Sequence, residues 1–293
     1  MYTLKFQVQA ADAGRKVKYF LRSTMQLSYH QSSVLKATGG LKVNGESVHA
    51  NHILQAGDVV TAELPEQGAQ KQVMPEALPV CIVYEDDDLC IVDKPAPLAC
   101  QSTPKQPSGT LENRMHHRYA HIENYVFRPV NRLDKGTSGL MAVAKHAHAY
   151  QLMQRQLHSE HFIREYTAIV EGELSGEGTI NLPIAKVPDA SVRRCIDREN
   201  GQHAITHYRC ESFQNGRTQV RLRLETGRTH QIRVHLSAAG HPIAGDFLYG
   251  SELPELPGRF ALHSCLIRFV HPITGETIEC TSPLPNELKG LLD

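Results

Sequence analysis

The stretch that decides the reading of this chain runs Arg128-Pro-Val-Asn-Arg132-Leu-Asp134-Lys135-Gly136-Thr-Ser-Gly139-Leu-Met-Ala-Val-Ala-Lys145. Its second half, from Leu140 onward, is a short apolar run of strand character. Its first half is a turn-rich loop that presents one carboxylate, Asp134, between Arg132 and Lys135. Gly136 and Gly139 are expected to supply backbone angles closed to other residues, and Thr137 and Ser138 to hydrogen-bond the loop to itself. A carboxylate held by a stiff loop at the entry to a buried strand is suited to act as a nucleophile or a base. Read in isolation, Arg132-Leu-Asp134-Lys135 describes an exposed turn with a surface ion pair. The rest of the chain decides between the two.

A length of 293 residues suits one large domain, or a medium domain with a small one. Hydrophobic content of 41% and charged content of 21% predict a folded soluble protein. The formal net charge is zero, so a nucleic-acid surface requires local clustering of Arg and Lys. The seven cysteines form no Cys-x-x-Cys pair and no signal peptide is read ahead of them, so reduced thiols in a cytoplasmic protein are expected. No apolar run approaches membrane-spanning length, and no membrane partner is expected. Seventeen histidines raise the question of a metal. His117 and His121 could share a helix face, and His230 precedes His235 on a short segment. Neither His-Glu-x-x-His nor a Cys/His set accompanies them, so structural or surface histidines, and no metal, are expected.

Residues 1–66 read as a small separate unit. Gly14–Arg22 opens a helix with Val17, Phe20 and Leu21 on one side, and Ser32–Ala37 forms a second helix stopped by Gly39-Gly40. A hairpin through Asn44-Gly45 and a β-prone run Val59–Ala62 follow. Two helices, a hairpin and a Gly-Asp turn resemble the small RNA-binding module first seen in a ribosomal small-subunit protein. On that resemblance Lys16, Lys18, Arg22, Lys36 and Lys42 are candidate phosphate contacts. Residues 67–79 are polar and proline-bearing and read as a linker.

From residue 80 the pattern is strand-rich. Val80–Tyr84 and Leu89–Val92 flank an acidic turn, and Lys94-Pro95 leads into a loop. Thr110–Tyr119 and His146–Leu157 have helical spacing. Arg164-Glu-Tyr166-Thr-Ala-Ile-Val170 alternates as a strand, with Tyr166 sharing the inner face of Ala168 and Val170. Residues 175–201 form a long Gly-, Pro- and charge-rich excursion before strands near 204–210 and 218–224. Between 193 and 233 arginines outnumber acids, as a neutral protein that holds phosphates locally would need.

The second dense motif is Leu224-Glu-Thr-Gly-Arg228-Thr229-His230-Gln-Ile-Arg233-Val-His-Leu236. Thr229 is expected to cap a helix that begins near His230. Ile232 and Leu236 then face the core together, and Arg233 flanks that face, where a half-buried guanidinium requires an anion. His241-Pro-Ile-Ala-Gly-Asp-Phe-Leu-Tyr-Gly250 reads as a loop, and Leu262–Val270 with Thr277–Cys280 as two strands about a turn.

Taken in order, the Asn131-Arg-Leu-Asp-Lys-Gly-Thr-Ser-Gly-Leu run, the Arg164–Val170 strand, the Thr226–Leu236 motif and the Gly240–Gly250 loop, together with Lys94-Pro95, resemble the RluA-type pseudouridine synthases over about residues 80–285. The resemblance implies an α+β catalytic domain, 80–293, with a mostly antiparallel central sheet, flanking helices and an RNA-binding cleft. It implies that the N-glycosidic bond of a uridine in RNA is broken, the uracil turns, and the ring is rejoined to ribose through carbon 5, without metal or organic cofactor. The target base must leave its stack. By the resemblance Asp134 acts at the ribose, Arg233 pairs with it, Tyr166 lies against the uracil, and Arg132 fills the gap left by the flipped base. Lys94, Arg228 and Arg164 complete the RNA-binding set, Lys94 and Arg228 binding phosphates or ordering the cleft, and Arg164 standing where a Lys is common. Asn131 replaces a frequent His, and Pro97 a Gly. The expected partner is RNA, ribosomal ahead of transfer RNA, bound by a monomer. Two competing readings are a non-catalytic RNA-binding or ribosome-assembly factor on the same scaffold, and a histidine-metal hydrolase supported by histidine number alone.

Overall fold

The structure, a computed structural model, describes residues 2–65, 72–157, 159–188 and 192–293. The chain divides into two compact units: residues 1–70 with 122–126 and 146–148, and residues 71–121, 127–145 and 149–293. Residues 67–71 of the expected linker lie outside the described residues. The remainder is tied to the larger unit, where Asn113 Nδ2 donates to Met74 O at 2.9 Å and Gly109 N to Glu76 Oε1 at 2.7 Å.

The smaller unit contains β1 (Tyr2–Gln7), α1 (Val17–Ser23), α2 (Tyr29–Thr38), β2 (Leu41–Val43), β3 (Glu46–Ser47) and β4 (Val59–Leu64). Its sheet is antiparallel in the order β1-β4-β2-β3. Asn44 and Gly45 both have positive φ, 51° and 86°, as a tight hairpin turn demands. Two elements depart from the sequence reading. Strand β1 was not expected, although Tyr2, Leu4 and Phe6 alternate with polar residues. Helix α2 starts at Tyr29 and not at Ser32, because Ser28 caps it. The Ser28 hydroxyl accepts from Gln31 N at 3.1 Å, and Gln31 Oε1 accepts from Ser28 N at 2.8 Å.

The chain continues with β5 (Cys81–Glu85), β6 (Leu89–Lys94), α3 (Leu111–Arg118), β7 (Arg128–Pro129), β8 (Ser138–Ala144), α4 (Ala147–Gln156), β9 (Phe162–Glu171), β10 (Glu177–Asn181), β11 (Ile184–Lys186), β12 (Arg194–Ile196), β13 (Ile205–Gln214), β14 (Arg217–Leu224), α5 (Gln231–Ala238), β15 (Leu262–Val270), β16 (Thr277–Thr281) and α6 (Asn286–Lys289). The long excursion thus carries three short strands, with residues 189–191 outside the described set. The main sheet runs β10-β13-β14-β9-β15-β8-β6-β5, with β16 on β15 and β7 on β8. Its pairings are antiparallel except where β15 meets β8 side by side at His263–Ser138 and Ser264–Gly139. The fold is α+β with a mostly antiparallel sheet.

Strand β8 is buried along its whole length. Leu140, Ala142 and Ala144 share one cluster with Leu89 and Ile91 of β6, Ile267 and Phe269 of β15, and Ala149 and Met153 of α4. Burying each large side chain of that cluster contributes about 1.5–3 kcal/mol. The parallel contact explains Gly139. Its φ is +102°, and a Cβ there would stand 2.2 Å from Ser264 O. Gly136 is needed for a different reason from the expected one: its φ is not positive, but a Cβ would press on the Phe260 ring at 2.7 Å.

Candidate active site

Asp134 sits in the loop between β7 and β8. Backbone pairing across this hairpin, Val130 N to Ala142 O at 2.8 Å, closes its base. Asn131 adds to it, accepting from Ala142 N at 2.9 Å through its side-chain oxygen. Thr137 N donates to Asp134 O at 3.1 Å, which makes the turn itself. Ser138 does not bond the loop to itself. Its hydroxyl lies 2.9 Å from His263 Nδ1 on β15 and accepts from Arg259 Nη2 at 3.0 Å. The loop is therefore fastened to neighbouring elements, and the carboxylate it carries has a fixed direction.

Arg233 reaches this carboxylate from α5. Ile232 and Leu236 anchor the helix in the core, and Arg233 is also buried, its side chain 3% exposed. Its Nη1 donates to Asp134 Oδ2 at 3.1 Å. Its Nε and Nη2 fork onto Asp246 Oδ2 and Oδ1 at 2.7 and 2.8 Å. The guanidinium also lies over the Phe260 ring, 4.1 Å from its centroid. Burial works against the charge of Arg233, but the Asp246 and Asp134 carboxylates outweigh it and raise its pKa above the ordinary guanidinium value. Asp246 is fully buried, and although Gly245-Asp246 belongs to the Gly240–Gly250 motif, nothing in the sequence alone marks it as the partner of Arg233. A bidentate partner on one edge leaves the other N–H group rigidly aimed at Asp134.

Helix α5 begins near His230 as expected, but Thr229 is not its cap; His230 is, in the left-handed conformation with φ 59° and ψ 19° and no side-chain capping bond. The turn is knitted instead by Gln231, whose Oε1 accepts from Arg228 N at 2.9 Å and Thr226 Oγ1 at 2.8 Å.

The other expected residues divide into two groups. Tyr166, Arg164, Arg132 and Arg228 line the same cavity as Asp134 and Arg233, a space of about 1120 Å³. Tyr166 shares the buried face of β9 with Ala168 and Val170. Burial raises its hydroxyl pKa, Arg164 opposes this, and the charge of Asp134 adds to it. Arg164 is itself buried, with Nη2 on Leu157 O at 3.4 Å. Arg132 is exposed at the rim, and Arg228 is exposed with Nε bonded to His203 O at 3.1 Å.

Lys94 was expected either to meet phosphates or to order the cleft; it is fully buried and is not among the residues lining the cavity, which fits the second role and not the first. Its ammonium donates to Leu98 O at 2.8 Å and Pro95 O at 3.1 Å, and burial pushes its pKa down to about 8. Leu98 N in turn donates to Lys135 O at 2.9 Å, so Lys94 orders the loop that braces the Asp134 turn.

Six arginines and one lysine line the cavity against a single carboxylate, Asp134. That is the local clustering a chain of zero net charge requires to hold a polyanion. Elsewhere, among the described residues, Asp86, Asp88 and His271 come within metal-ligand spacing of one another. His271 Nδ1 accepts from Thr274 N at 3.1 Å and Ile273 N at 3.3 Å, which leaves the ring proton on Nε2, 2.9 Å from Asp86 Oδ2. A nitrogen that carries a proton offers no lone pair to an ion, and the trio reads as a tie between two turns.

A forked Arg–Asp pair that aims a second carboxylate into an arginine-lined cavity, on a mostly antiparallel α+β sheet, is an arrangement suited to a polyanionic ligand. Residues 88–238 match the RNA pseudouridylate synthase family, and the chain belongs to it. Members are isomerases that convert uridine to pseudouridine in RNA. An uncharacterized RNA pseudouridine synthase of Bacillus subtilis is 41% identical over 255 residues, 86% of this chain and 83% of that protein. The ribosomal large subunit pseudouridine synthase D of Xanthomonas campestris is 35% identical over 97% of this chain and 90% of its own length. Among solved structures, human RNA pseudouridylate synthase domain containing 1 is similar with a TM-score of 0.58 and 28% identity, covering 70% of this chain and 83% of that one. No helix among the described residues is long and apolar enough to cross a membrane.

Proposed function

We propose that this enzyme isomerises a uridine of large-subunit ribosomal RNA, with Asp134 acting at the ribose of an extruded nucleotide. The observation that carries the reading is the 3.1 Å contact between Arg233 and Asp134 at a cavity of about 1120 Å³. A flipped nucleotide needs such a space, and the cleft supplies cations for the phosphates on either side of it. Arg233 orients the carboxylate and complements its charge. Tyr166, buried beside it, stacks on the uracil and is placed to assist proton loss from carbon 5. Arg132, at the rim, enters the gap in the RNA, and Arg164 and Arg228 meet backbone phosphates. The smaller unit adds RNA contacts through its exposed Lys16, Arg22 and Lys36. The protein works as a monomer in the cytoplasm, without cofactor. Ribosomal RNA is favoured over transfer RNA because the relatives that match nearly the whole chain are named for the large ribosomal subunit.

The test is to incubate RNA from cells lacking the gene with wild-type protein and with Asp134→Ala, then map pseudouridine in ribosomal and transfer RNA. A large-subunit site filled by the wild type alone is the expected result. Equal signal from both proteins rejects the role of Asp134, and a site confined to transfer RNA rejects the substrate.

A further inference from the structure

Among the described residues, His230 stands beside the Asp134 carboxylate and takes no part in the function proposed for the site. It lines the cavity, its side chain is 12% exposed, and its Nε2 stands 3.8 Å from Asp134 Oδ2. A non-glycine residue in the left-handed conformation costs of order 1 kcal/mol or more and persists where the surroundings impose it. Here the conformation points the ring across the cavity toward the loop of Asp134.

The ring's protonation pattern follows from its neighbours. His230 Nδ1 lies 2.8 Å from Tyr249 Oη. That oxygen already accepts from Arg194 N at 2.8 Å. With that N–H on its oxygen, Tyr249 has its own proton to give to His230, and we assign Nδ1 as the acceptor. A neutral imidazole carries one proton, so it resides on Nε2. Burial holds the ring neutral; Arg233 and Arg194 act in the same direction, while Asp134 and Asp246 oppose. Two other histidines show the same pattern completed. His235 has Thr206 Oγ1 at Nδ1 and Leu182 O at Nε2, both at 2.9 Å. His263 has Ser138 Oγ at Nδ1 and Ser282 O at Nε2, at 2.9 and 3.2 Å. In those two the Nε2 proton is spent on a backbone carbonyl. In His230 it faces a carboxylate at a distance too long for a direct hydrogen bond. A single oxygen placed about 2.8 Å from both groups bridges them. It must accept from Nε2–H and donate to the carboxylate, as a water or a hydroxyl does and as neither a carbonyl nor a phosphate oxygen can; with RNA in the cleft, the hydroxyl at hand is that of the ribose.

We propose that His230 binds the 2′-hydroxyl of the target nucleotide, donating to it from Nε2 while that hydroxyl donates to Asp134, and that Tyr249 is a positioning residue which fixes the ring's tautomer. The inference rests on Asp134 being the group at the ribose. It makes the site demand a ribonucleotide at the position it modifies, because a deoxyribose leaves the Nε2 proton and the carboxylate unbridged.

The test uses the full chain and a synthetic RNA fragment containing the uridine mapped above, made with uridine or with 2′-deoxyuridine at that one position. His230→Phe should slow single-turnover pseudouridine formation on the ribose substrate by roughly tenfold to a hundredfold, the range for one lost hydrogen bond. The same substitution should have an effect within about twofold on the deoxy substrate, because the partner is already missing. His230→Gln, which keeps an N–H donor, should recover part of the rate. In the protein alone, nitrogen NMR should find the His230 proton on Nε2, and Tyr249→Phe should shift the ring toward the other tautomer. An unchanged rate for His230→Phe, or an equal loss on both substrates, overturns the proposal while Asp134→Ala remains inactive. Activity in Asp134→Ala, or no modified RNA with the wild type, removes the underlying reading and this inference with it.

Discussion

The Asp246–Arg233–Asp134 row makes a quantitative prediction about stability. Arg233 and Asp246 have side chains 3% and 0% exposed, whereas Asp134 is 27% exposed. Arg233→Met strands the Asp246 charge in the interior, with only Leu248 N and Tyr249 N left as donors at 3.0 and 3.3 Å. Breaking a buried pair in this way costs about 3–5 kcal/mol. Asp246→Asn costs less, about 1.5–3 kcal/mol, because the guanidinium keeps Asp134 as its counter-ion. The double variant buries no stranded charge, and water reaches Asp134. Its cost should therefore fall below that of Arg233→Met alone, a coupling of roughly 2–4 kcal/mol. In a domain of this size each kcal/mol moves Tm by about 2–4 °C. The chain has no tryptophan, so urea unfolding is best followed by circular dichroism. All three variants should fail to form pseudouridine, since each disturbs the group that aims Asp134. Single-variant costs that simply add, to within about 0.5 kcal/mol, would refute this account of the pair. So would Arg233→Met proving less damaging than Asp246→Asn.

Three further outcomes are expected. Gly139→Ala, which places a methyl 2.2 Å from Ser264 O at φ +102°, should prevent folding or cost more than about 3 kcal/mol; normal expression and an unaltered melt would contradict the close approach of β8 and β15. His235 and His263 have pKa values pushed below the ordinary value by burial. Below about pH 6.5 the unfolded chain binds protons that the folded one refuses, so their contribution is intact above that pH and is lost as pH falls toward the folded values. Tm should drop between pH 7 and pH 5.5, and less so in a His235→Gln, His263→Gln variant; parallel pH curves would rule the two histidines out. Lys94→Met should lower the catalytic rate without changing the salt dependence of RNA binding, whereas Arg132→Ala should reduce that salt slope by about one counterion. A reduced slope for Lys94→Met would restore it as a phosphate contact.

Local patterns in the chain carry much of the architecture. Alternation over 164–170, the apolar run after Gly139 and the helical spacing of 110–119 and 146–157 each depend on neighbours a few residues away, and each element formed where its pattern lies. Turn chemistry did the same for Asn44-Gly45. Strand β1 is present in the alternation of Tyr2, Leu4 and Phe6. It is too short to stand out alone, and its partner β4 lies more than fifty residues on. The α2 boundary moved because a capping box at Ser28 and Gln31 outweighed the apolar spacing that begins later.

Of the site, Asp134 and Arg233 are legible as residue types in dense motifs, and a buried arginine's need for an anion follows from electrostatics alone. Which anion it meets does not. Asp246 lies in a different loop, and only the packing of α5 against that loop makes it the forked partner, with Asp134 taking the remaining N–H. For Lys94 the sequence left phosphate binding and cleft ordering both open, because it reports charge and not depth; folding spends its protons on the carbonyls of Pro95 and Leu98. His230 read as one histidine among seventeen. Its ring nitrogen meets the Tyr249 hydroxyl, which in turn accepts a backbone N–H from Arg194, and the three come from separate parts of the chain. Sequence thus settled which groups were available and which local elements they ride on, because those depend on near neighbours. Tertiary structure decided which proton faces which oxygen, because hydrogen bonds between distant segments exist only once the chain has closed around them.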